Sequence, residues 1–219
     1  ILLYVHWRGA WASLWRVRWP LHLLRVGLGV LMLTLFIYAI KRLPLTDAYA
    51  IFYISPFAIA ALSIPLLGEK VARASWIAIG VGLLGVLVVL KPTGTGLVSL
   101  AGLAILAAAL CYAVSAISVR LLSRTDSTES MVWWAMAGIA VLAGLLAVPE
   151  WVPVERRHLL SLAGLAVTGF FGQLTITEAF RIAPAATVTP FEYSALAWAL
   201  GLDALIWQVL PEARVFIGA

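Results

Sequence analysis

Charged residues are scarce in this chain: 11% of its residues are Asp, Glu, Lys or Arg, whereas 63% are hydrophobic. Soluble domains carry about 25% charged and about 45–50% apolar residues. The surplus of apolar side chains needs lipid as its solvent, which excludes an ordinary water-soluble fold. The composition therefore predicts a polytopic membrane protein whose first partner is the lipid bilayer.

Cysteine is nearly absent as well, since Cys111 is the only one and lies in an apolar stretch. One cysteine builds neither a disulfide framework nor a zinc site. The three histidines, His6, His22 and His158, lack the spacing of metal ligands and are predicted to be solvated. No metal, cofactor or catalytic residue is expected. The basic residues are dispersed over short loops rather than forming a stripe, so nucleic acid is not an expected partner.

Seven apolar segments each approach the roughly 20 residues that a helix needs to cross about 30 Å of hydrocarbon. Backbone polar groups must be paired within lipid, so these segments are expected to be helices. The predicted spans are 22–40, 46–67, 75–91, 97–120, 130–148, 160–180 and 185–207. Because the chain begins with Ile1 and stops at Ala219 within a new apolar stretch, we expect a fragment of a longer protein.

Loops on the two sides of the predicted spans differ modestly in positive charge. One side carries nine basic residues and the other six, and the positive-inside rule places the richer side in the cytoplasm. The richer side comprises Arg8, Arg16, Arg18, Arg25, Lys70, Arg73, Arg120, Arg124 and Arg181.

Trp7, Trp11, Trp15 and Trp19 recur every fourth residue with arginines beside them. On a helix these tryptophans would form one stripe. Indole rings and guanidinium groups suit the headgroup layer, so the pattern favours a helix lying on the cytoplasmic membrane surface. An irregular basic loop between two spans is the alternative.

One pattern recurs with a spacing of 140 residues. Five predicted spans separate the two copies, and an odd number places the second copy upside down relative to the first. Such an inverted-topology repeat is typical of secondary transporters. The paired residues are Ala39, Lys41, Pro44 and Tyr53 in the first copy and Ala179, Arg181, Pro184 and Tyr193 in the second.

Three acidic residues, Glu178, Glu192 and Asp203, lie in or at the edges of the last two predicted spans. An acid near the centre of a span costs about 2.5–3.5 kcal/mol, so such residues usually face the bundle interior or a watery cavity. Glu192, which follows Pro190, is predicted to face a cavity. For Asp203 an ordinary helix-end role is an equal alternative, and Glu178 can instead pair with Arg181 three residues later.

Polar and aromatic residues supply the other candidates for a substrate cavity. Pro56 removes a helix hydrogen bond, and transporters use such broken stretches near binding sites. Tyr53 lies close to it in sequence, and its repeat partner Tyr193 would face the cavity from the other half. The predicted substrate-binding residues are Tyr38, Tyr53, Pro56, Gln173, Glu178, Glu192 and Tyr193, and Glu192 is also the proton-coupling candidate.

Gly80, Gly82 and Gly85 match the pattern of a dinucleotide-binding loop. The context is wrong for that function, because no strand precedes them and they lie within an apolar span. Small residues in a membrane helix instead allow a neighbouring helix to approach closely.

Short stretches spread along nearly the whole chain form an ordered series. In the first half they are Tyr38-Ala39, Leu43-Pro44-Leu45, Ala48, Pro56-Phe57, Leu67-Gly68-Glu69, Trp76 and Val88-Val89-Leu90-Lys91-Pro92. In the second half they are Ala179-Phe180-Arg181, Pro184-Ala185, Pro190-Phe191-Glu192-Tyr193, Leu196-Ala197-Trp198 and Ile217-Gly218-Ala219. In this order and spacing the series resembles the EamA family of the drug/metabolite transporter superfamily.

The resemblance implies an all-α polytopic membrane helix bundle, with ten helices in two inverted halves, cytoplasmic termini and a substrate path between the halves. This chain would contain the third to the ninth helix. The expected domains are a first half at 1–92, with a basic Trp-rich interfacial segment at 6–20, and a second half at 97–219, each truncated at its outer end. Where the first half has Glu69 the second has Val209, so helix-end support by that acid is not expected to recur.

We therefore expect a multi-pass secondary transporter of the inner (plasma) membrane that moves a small organic metabolite by alternating access between two inverted repeats. Proton coupling is an added hypothesis. A non-transporting membrane scaffold or assembly subunit is the first alternative, and it would require neither acids inside spans nor broken helices. An intramembrane enzyme acting on lipid-linked substrates is the second, but the sequence lacks the nucleophile, base or metal cluster that it would need.

Overall fold

The computed structural model describes residues 2–93, 98–206 and 208. Within these ranges the chain is helical and contains no strand, so the predicted all-α class is confirmed. The side chains of Leu3, Glu150, Leu200 and Asp203 lie outside the description, and so does the whole of Trp207. The prediction for the Asp203 carboxylate therefore stays a prediction.

Ten α-helices occur in the described ranges, joined by short connections and 3-10 turns. They are α1 (Leu2–Trp7), α2 (Trp19–Ile40), α3 (Leu45–Phe52), α4 (Ser55–Leu67), α5 (Arg73–Leu90), α6 (Leu100–Leu122), α7 (Thr128–Ala147), α8 (Leu159–Ile182), α9 (Ala185–Val188) and α10 (Ser194–Ile206). The 3-10 turns are Trp11–Leu14, Val148–Glu150, Arg156–His158 and Thr189–Tyr193.

Six helical stretches of the described chain are long and apolar enough to cross a membrane. They are Trp19–Ile40, Leu45–Leu67, Arg73–Leu90, Leu100–Leu122, Thr128–Ala147 and Arg156–Ile182, and each coincides with a predicted span. The seventh predicted span, 185–207, is instead divided into α9, a 3-10 turn and α10. Pro190 lies in the first turn of that 3-10 segment, where it removes a donor that a continuous helix would use.

The span at 45–67 is also interrupted, as Pro56 predicts. Helix α3 ends at Phe52, and α4 begins at Ser55 with Pro56 in its first turn. This position tolerates proline because the first N–H groups of a helix have no partner within the helix. Tyr53 therefore lies at the break between two helices rather than within one.

The two copies of the repeat begin with the same backbone conformation. Pro44 precedes α3 with φ −55° and ψ 142°, and Pro184 precedes α9 with φ −54° and ψ 141°. Five of the candidate spans in the described chain lie between these prolines. If each of them crosses the bilayer, the copies run in opposite senses, as the sequence predicts.

The chain packs as two compact units. Unit 1 comprises 1–30 and 118–182, and unit 2 comprises 31–117 and 183–219. A packing unit and a duplicated half are different properties of a chain. The predicted halves at 1–92 and 97–219 therefore stay a prediction.

The predicted surface helix through the tryptophan-rich segment is wrong, and the irregular-loop alternative holds. Gly9 adopts φ 62°, which ends the helical course of α1, and Trp11–Leu14 forms only a single 3-10 turn. Glycine tolerates this left-handed conformation without steric cost. The rings of Trp15 and Trp19 both meet that of Trp134 edge-on, with centroids 5.8 and 4.6 Å away.

In unit 1, helices α2 and α7 pack through glycines. A Cβ added at Gly138 would overlap the Val26 side chain, and one at Gly29 would lie 2.7 Å from Ile139 Cδ1. Two glycines thus admit two branched side chains at short range. Close approach through small residues is the usual packing device of membrane helices.

Candidate substrate-binding site

Glu192 lies in the 3-10 turn Thr189–Tyr193 of unit 2, where it is half-buried. The hydroxyl of Tyr112, which projects from α6, donates a hydrogen bond of 3.1 Å to its Oε1. No Lys, Arg or His in the described part of the chain forms an ion pair with this carboxylate. Because a carboxylate can accept about four hydrogen bonds, Glu192 keeps acceptor capacity for a further partner.

Tyr112 was missed by the sequence analysis, although a signal existed. It is the only aromatic residue in the predicted span 97–120. An isolated tyrosine among Ala, Leu and Ile brings a phenolic hydroxyl into an apolar helix. Buried tyrosine hydroxyls usually find a hydrogen-bond partner, and here the partner is the acid on a different element.

Tyr53 and Tyr193, which the repeat pairs with each other, contact each other directly in unit 2. Their rings are stacked with centroids 5.9 Å apart and an interplanar angle of 28°. The Tyr193 hydroxyl donates a hydrogen bond of 3.1 Å to the backbone oxygen of Tyr53. The break between α3 and α4 thereby meets the interruption before α10, next to Glu192.

The Tyr193 ring is held on a second side by α5. A Cβ placed on Gly82 would overlap the Tyr193 ring, whereas one placed on Gly80 would meet no atom within 4 Å. Tyr193 is buried and joins an apolar cluster with Ala60, Ile79 and Val86. Gly82 therefore allows the close approach that the sequence suggests for a small residue on α5, and this contact holds the Tyr193 ring in place.

Two other candidates of unit 2 lie in different surroundings. Pro56 is buried in the first turn of α4, three residues from Tyr53. Tyr38 lies near the end of α2, where it packs on a separate apolar cluster that includes Ala39 and Ala48. The Arg42 guanidinium lies 3.8 Å from the Tyr38 ring centroid, an arrangement that favours a cation–π interaction.

Gln173 and Glu178 belong to α8 and to unit 1. Gln173 Nε2 donates a hydrogen bond of 3.2 Å to Thr177 Oγ1. Glu178 pairs with Arg181 Nη1 at 3.4 Å, as the alternative interpretation of its spacing predicts. It also accepts a hydrogen bond from the Thr128 hydroxyl. Both polar side chains thus have partners within their own unit.

Glu178 nevertheless faces open space. Unit 1 contains a cavity of about 650 Å³ whose lining includes Glu178, Arg181, Arg8 and Glu129. The two acids and two bases form one pair each, since Arg8 Nε lies 3.3 Å from Glu129 Oε1. The wall of this cavity is therefore polar but has balanced charges.

The prediction that His22 is solvated is wrong. Only 2% of its side chain is exposed, and its Nε2 lies 2.8 Å from Asp126 Oδ2, which is 1% exposed. The ring comes from the first turns of α2, and the acid lies in the turn before α7. A signal was present in the sequence: His22 and Arg25 lie three residues apart and so share one face of the predicted span.

Asp126 also receives hydrogen bonds from the Arg18 backbone N–H, at 3.1 Å, and from the Thr125 hydroxyl, at 2.6 Å. Burial by itself would raise the pKa of Asp126, but these donors and His22 more than offset it and hold the pKa below 3.8. The carboxylate is therefore ionised at neutral pH. One residue further along the chain, Ser127 caps the start of α7, because its Oγ accepts a hydrogen bond of 3.2 Å from the Ser130 backbone N–H.

Arg25 is buried in unit 1 although the loop-charge comparison counted it among the exposed basic residues. Its guanidinium donates hydrogen bonds to the Met131 carbonyl oxygen at 3.0 Å and to Thr177 Oγ1 at 3.4 Å. It thus links α2 with α7 and α8. Sequence reasoning missed this link because both partners are more than 100 residues away in the chain.

Glu69 supports a helix end, as the sequence analysis predicts, and the helix belongs to the second copy. Its two carboxylate oxygens accept from the Ala185 backbone N–H at 3.0 and 3.3 Å. The acid near the corresponding helix start in the first copy, Asp47 in the first turn of α3, has a different partner. It accepts hydrogen bonds from the backbone N–H and the hydroxyl of Thr93 at 2.9 and 2.5 Å. The two copies share a backbone turn but not its side-chain partners.

Comparison with known proteins agrees with this architecture. The model of the EamA-like transporter family matches residues 1–91 and 99–219. The chain is 30% identical to the pseudopaline exporter of Pseudomonas aeruginosa, covering 100% of this chain and 77% of the exporter. It is 31% identical to a riboflavin transporter of Vibrio cholerae, covering 100% of this chain and 74% of that protein.

Two further similarities have lower identity. An S-adenosylmethionine uptake transporter of Rickettsia prowazekii is 25% identical over 90% of this chain and 67% of its own length. A solved crystal structure superposes with a TM-score of 0.84 at 22% identity, covering 99% of this chain and 77% of that one. At this identity the crystal structure shows a shared fold alone.

Proposed function

This chain belongs to the EamA-like transporter family and is a multi-pass membrane transporter of small metabolites rather than an enzyme, and we propose that it works by alternating access between two inverted halves. The proposed location is the inner (plasma) membrane, with the Arg-rich loops in the cytoplasm. The family removes the intramembrane-enzyme alternative. Nothing in the described contacts favours a non-transporting scaffold.

The contact between Tyr53 and Tyr193 is the observation that carries this proposal. Two residues related by a two-fold axis touch each other only where they lie near that axis. The stacked pair, together with the matching backbone angles at Pro44 and Pro184, is what an inverted repeat would produce at its centre. In inverted-repeat transporters, broken helices at such a centre build the substrate site.

We assign the substrate-contacting role first to Glu192, Tyr53 and Tyr193 of unit 2. Pro56 would act by holding the break that exposes Tyr53, and Tyr38 would contribute an aromatic face at the end of α2. In unit 1, Glu178 would contact the solute in the cavity that it lines, and Gln173, which does not line that cavity, keeps its proposed role from its position on α8. The named relatives handle chemically different organic metabolites, so the proposed substrate is a small organic solute of no narrower class.

Glu192 is the proposed proton-binding group. A carboxylate in apolar surroundings is stable in two ways, either by taking up a proton or by pairing with a cation. Glu192 has the Tyr112 hydroxyl as a hydrogen-bond donor but no basic partner among the described residues. Proton uptake and release there would couple the solute movement to a proton gradient.

Transport by the purified protein in proteoliposomes tests the proposal, with riboflavin and S-adenosylmethionine as the first probes. Wild-type protein should move a solute faster when a pH gradient is imposed, and Glu192→Gln should lose that acceleration. Tyr112→Phe is the matched variant, because it removes the hydrogen bond but keeps the acid, and it should retain coupling. Unchanged rate and coupling in Glu192→Gln would remove Glu192 from the mechanism.

A further inference from the structure

Residues 8–22, which connect α1 to α2 and include the first turn of α2, are fastened by polar contacts to the start of α7 and the turn before it. We call residues 8–22 the polar strap and residues 123–130 the α6–α7 turn; all lie in unit 1. The contacts are Arg8 Nε to Glu129 at 3.3 Å, Ser13 Oγ to Ser127 Oγ at 3.0 Å, Trp134 Nε1 to the Leu14 oxygen at 2.7 Å, the Arg18 N–H to Asp126 at 3.1 Å and His22 Nε2 to Asp126 at 2.8 Å.

The apolar contacts of the strap are few. Between residues 8 and 18 only Leu14 is buried, and the rings of Trp15 and Trp19 meet that of Trp134 edge-on. Hydrogen bonds and ion pairs between partly exposed groups are individually weak, because water offers the same groups an alternative. Residues 8–18 can therefore leave the α6–α7 turn without unfolding an α-helix, whereas His22 leaves it only if the first turn of α2 tilts or frays.

His22 and Asp126, the two most deeply buried groups of this attachment, also favour an attachment that can be reversed. His22 Nδ1 is buried with no hydrogen-bond partner, so the attached state leaves one polar atom unsatisfied. Detachment would give this atom and the Asp126 carboxylate access to water. The attached state is thus held by several polar bonds and opposed by a desolvated ring nitrogen.

A firm contact lies one helical turn deeper. Val26 packs on Gly138, and Ile139 packs on Gly29, with no room for even a methyl group at either glycine. Such close apolar packing resists separation. The contact between α2 and α7 would therefore stay closed while the polar strap opens, and it would act as the pivot of that movement.

We propose that the polar strap is a gate at the cytoplasmic end of unit 1, which separates from the α6–α7 turn and reattaches in each transport cycle. This inference rests on the proposed alternating-access function. The strap carries Arg8, Arg16 and Arg18, which the charge rule assigns to the cytoplasmic side. His22 and Asp126 are positioning residues that hold the closed gate.

A disulfide between Ser13→Cys and Ser127→Cys tests the gate. The two hydroxyl oxygens are 3.0 Å apart, so the substituted sulfur atoms can bond without large backbone movement. Cys111→Ala removes the only native thiol. In proteoliposomes we expect oxidation to slow solute uptake at least tenfold and a reductant to restore it. Each single-cysteine variant should be insensitive to the oxidant.

Uptake at the reduced-state rate by fully cross-linked protein would overturn the gate. Transport itself is a separate measurement. If the reduced double variant and wild type both transport, but cross-linking does not slow uptake, only the gate is overturned. If neither transports any solute, the proposed function fails. Should the serine pair fold poorly, Arg8→Cys with Glu129→Cys and a short bis-thiol cross-linker offers a second lock between an exposed and a buried position, with the same expected and overturning results.

Discussion

The His22–Asp126 pair of unit 1 and Glu192 of unit 2 differ in how far their hydrogen-bonding capacity is used. In unit 1, His22 and Asp126 are paired, and Asp126 has two further donors. In unit 2, Glu192 has a single tyrosine hydroxyl as its described partner. A fully satisfied group stabilises one arrangement of the chain, whereas a group with spare acceptor capacity is available to a proton or ligand. The comparison separates groups that hold the fold from groups that can act on a solute.

The two units also share a packing device with different consequences. Gly82 admits an aromatic ring in unit 2, and Gly138 admits a branched aliphatic side chain in unit 1. The ring is large, buried and stacked on Tyr53, so it has few alternative positions. The valine is smaller, although as a β-branched residue in a helix it has one preferred rotamer. We expect a methyl group added at Gly82 to lower the free energy of unfolding more than one added at Gly138.

Gly82→Ala should have the largest effect on stability. The new methyl group would overlap the Tyr193 ring near its attachment to the backbone, and overpacking of this kind costs about 1–3 kcal/mol. Thermal unfolding in detergent should show a clear fall in Tm. Gly80→Ala on the same helix meets no atom within 4 Å and should leave Tm unchanged or raise it slightly. Equal Tm values for the two variants would contradict the packing of Tyr193.

Gly138→Ala should also destabilise, by about 1–3 kcal/mol and less than Gly82→Ala, because Val26 is smaller than a tyrosine ring but is β-branched and cannot easily rotate away in a helix. Gly144→Ala is the matched control, since its new methyl group would meet open space. The double variant Gly138→Ala with Val26→Ala should lose much of the clash. Additive effects of the two substitutions in the same unfolding measurement would argue against a direct contact.

Tyr193→Phe removes one hydroxyl but keeps the stacked rings. Loss of the hydrogen bond to the Tyr53 oxygen should cost about 0.5–1.5 kcal/mol. Tyr49→Phe is a suitable control, because Tyr49 is 45% exposed and meets Phe36 through its ring. If both variants unfold at the same temperature, the hydroxyl contact contributes nothing and only the ring matters.

The smallest expected effect is the acid sensitivity that Asp126 confers. Its pKa in the folded state is lower than its ordinary 3.8, so its stabilisation is fully present above that value and is lost as pH falls through the folded pKa. Between neutral pH and about pH 3.5 part of this stabilisation should be lost. Thermal unfolding across this range should show less acid sensitivity for Asp126→Asn than for wild type.

The membrane spans and the repeat were predictable because lipid imposes simple demands on a sequence. Length, hydropathy and the prolines Pro44, Pro56 and Pro184 sufficed to place helix starts and the break before α4. The tryptophan segment failed because periodicity ignores Gly9 and the polar contacts of Ser13 and Leu14 with distant residues. There, tertiary contacts determine the conformation.

The site was predictable to a lesser degree. Tyr53 and Tyr193 were paired by the repeat, and Glu192 was found because acids are rare in spans. Tyr112 was not, although it is the only aromatic residue of its predicted span, because its partner lies 80 residues away. His22 shares a helix face with Arg25, but its partner Asp126 is 104 residues away. A single sequence can mark such residues as unusual, but it does not say which distant residue each one contacts.

The hydrogen bond from Ala185 to Glu69 has a consequence for symmetric engineering of this fold. Glu69 belongs to the first copy, and its counterpart in the second copy is Val209, which has no acceptor in its side chain. A designed homodimer of two first halves would supply both helix starts with a carboxylate. A designed homodimer of two second halves would supply neither helix start with a carboxylate. The second copy thus uses a carboxylate of the first copy at its helix start, and Val209 cannot return the same contact.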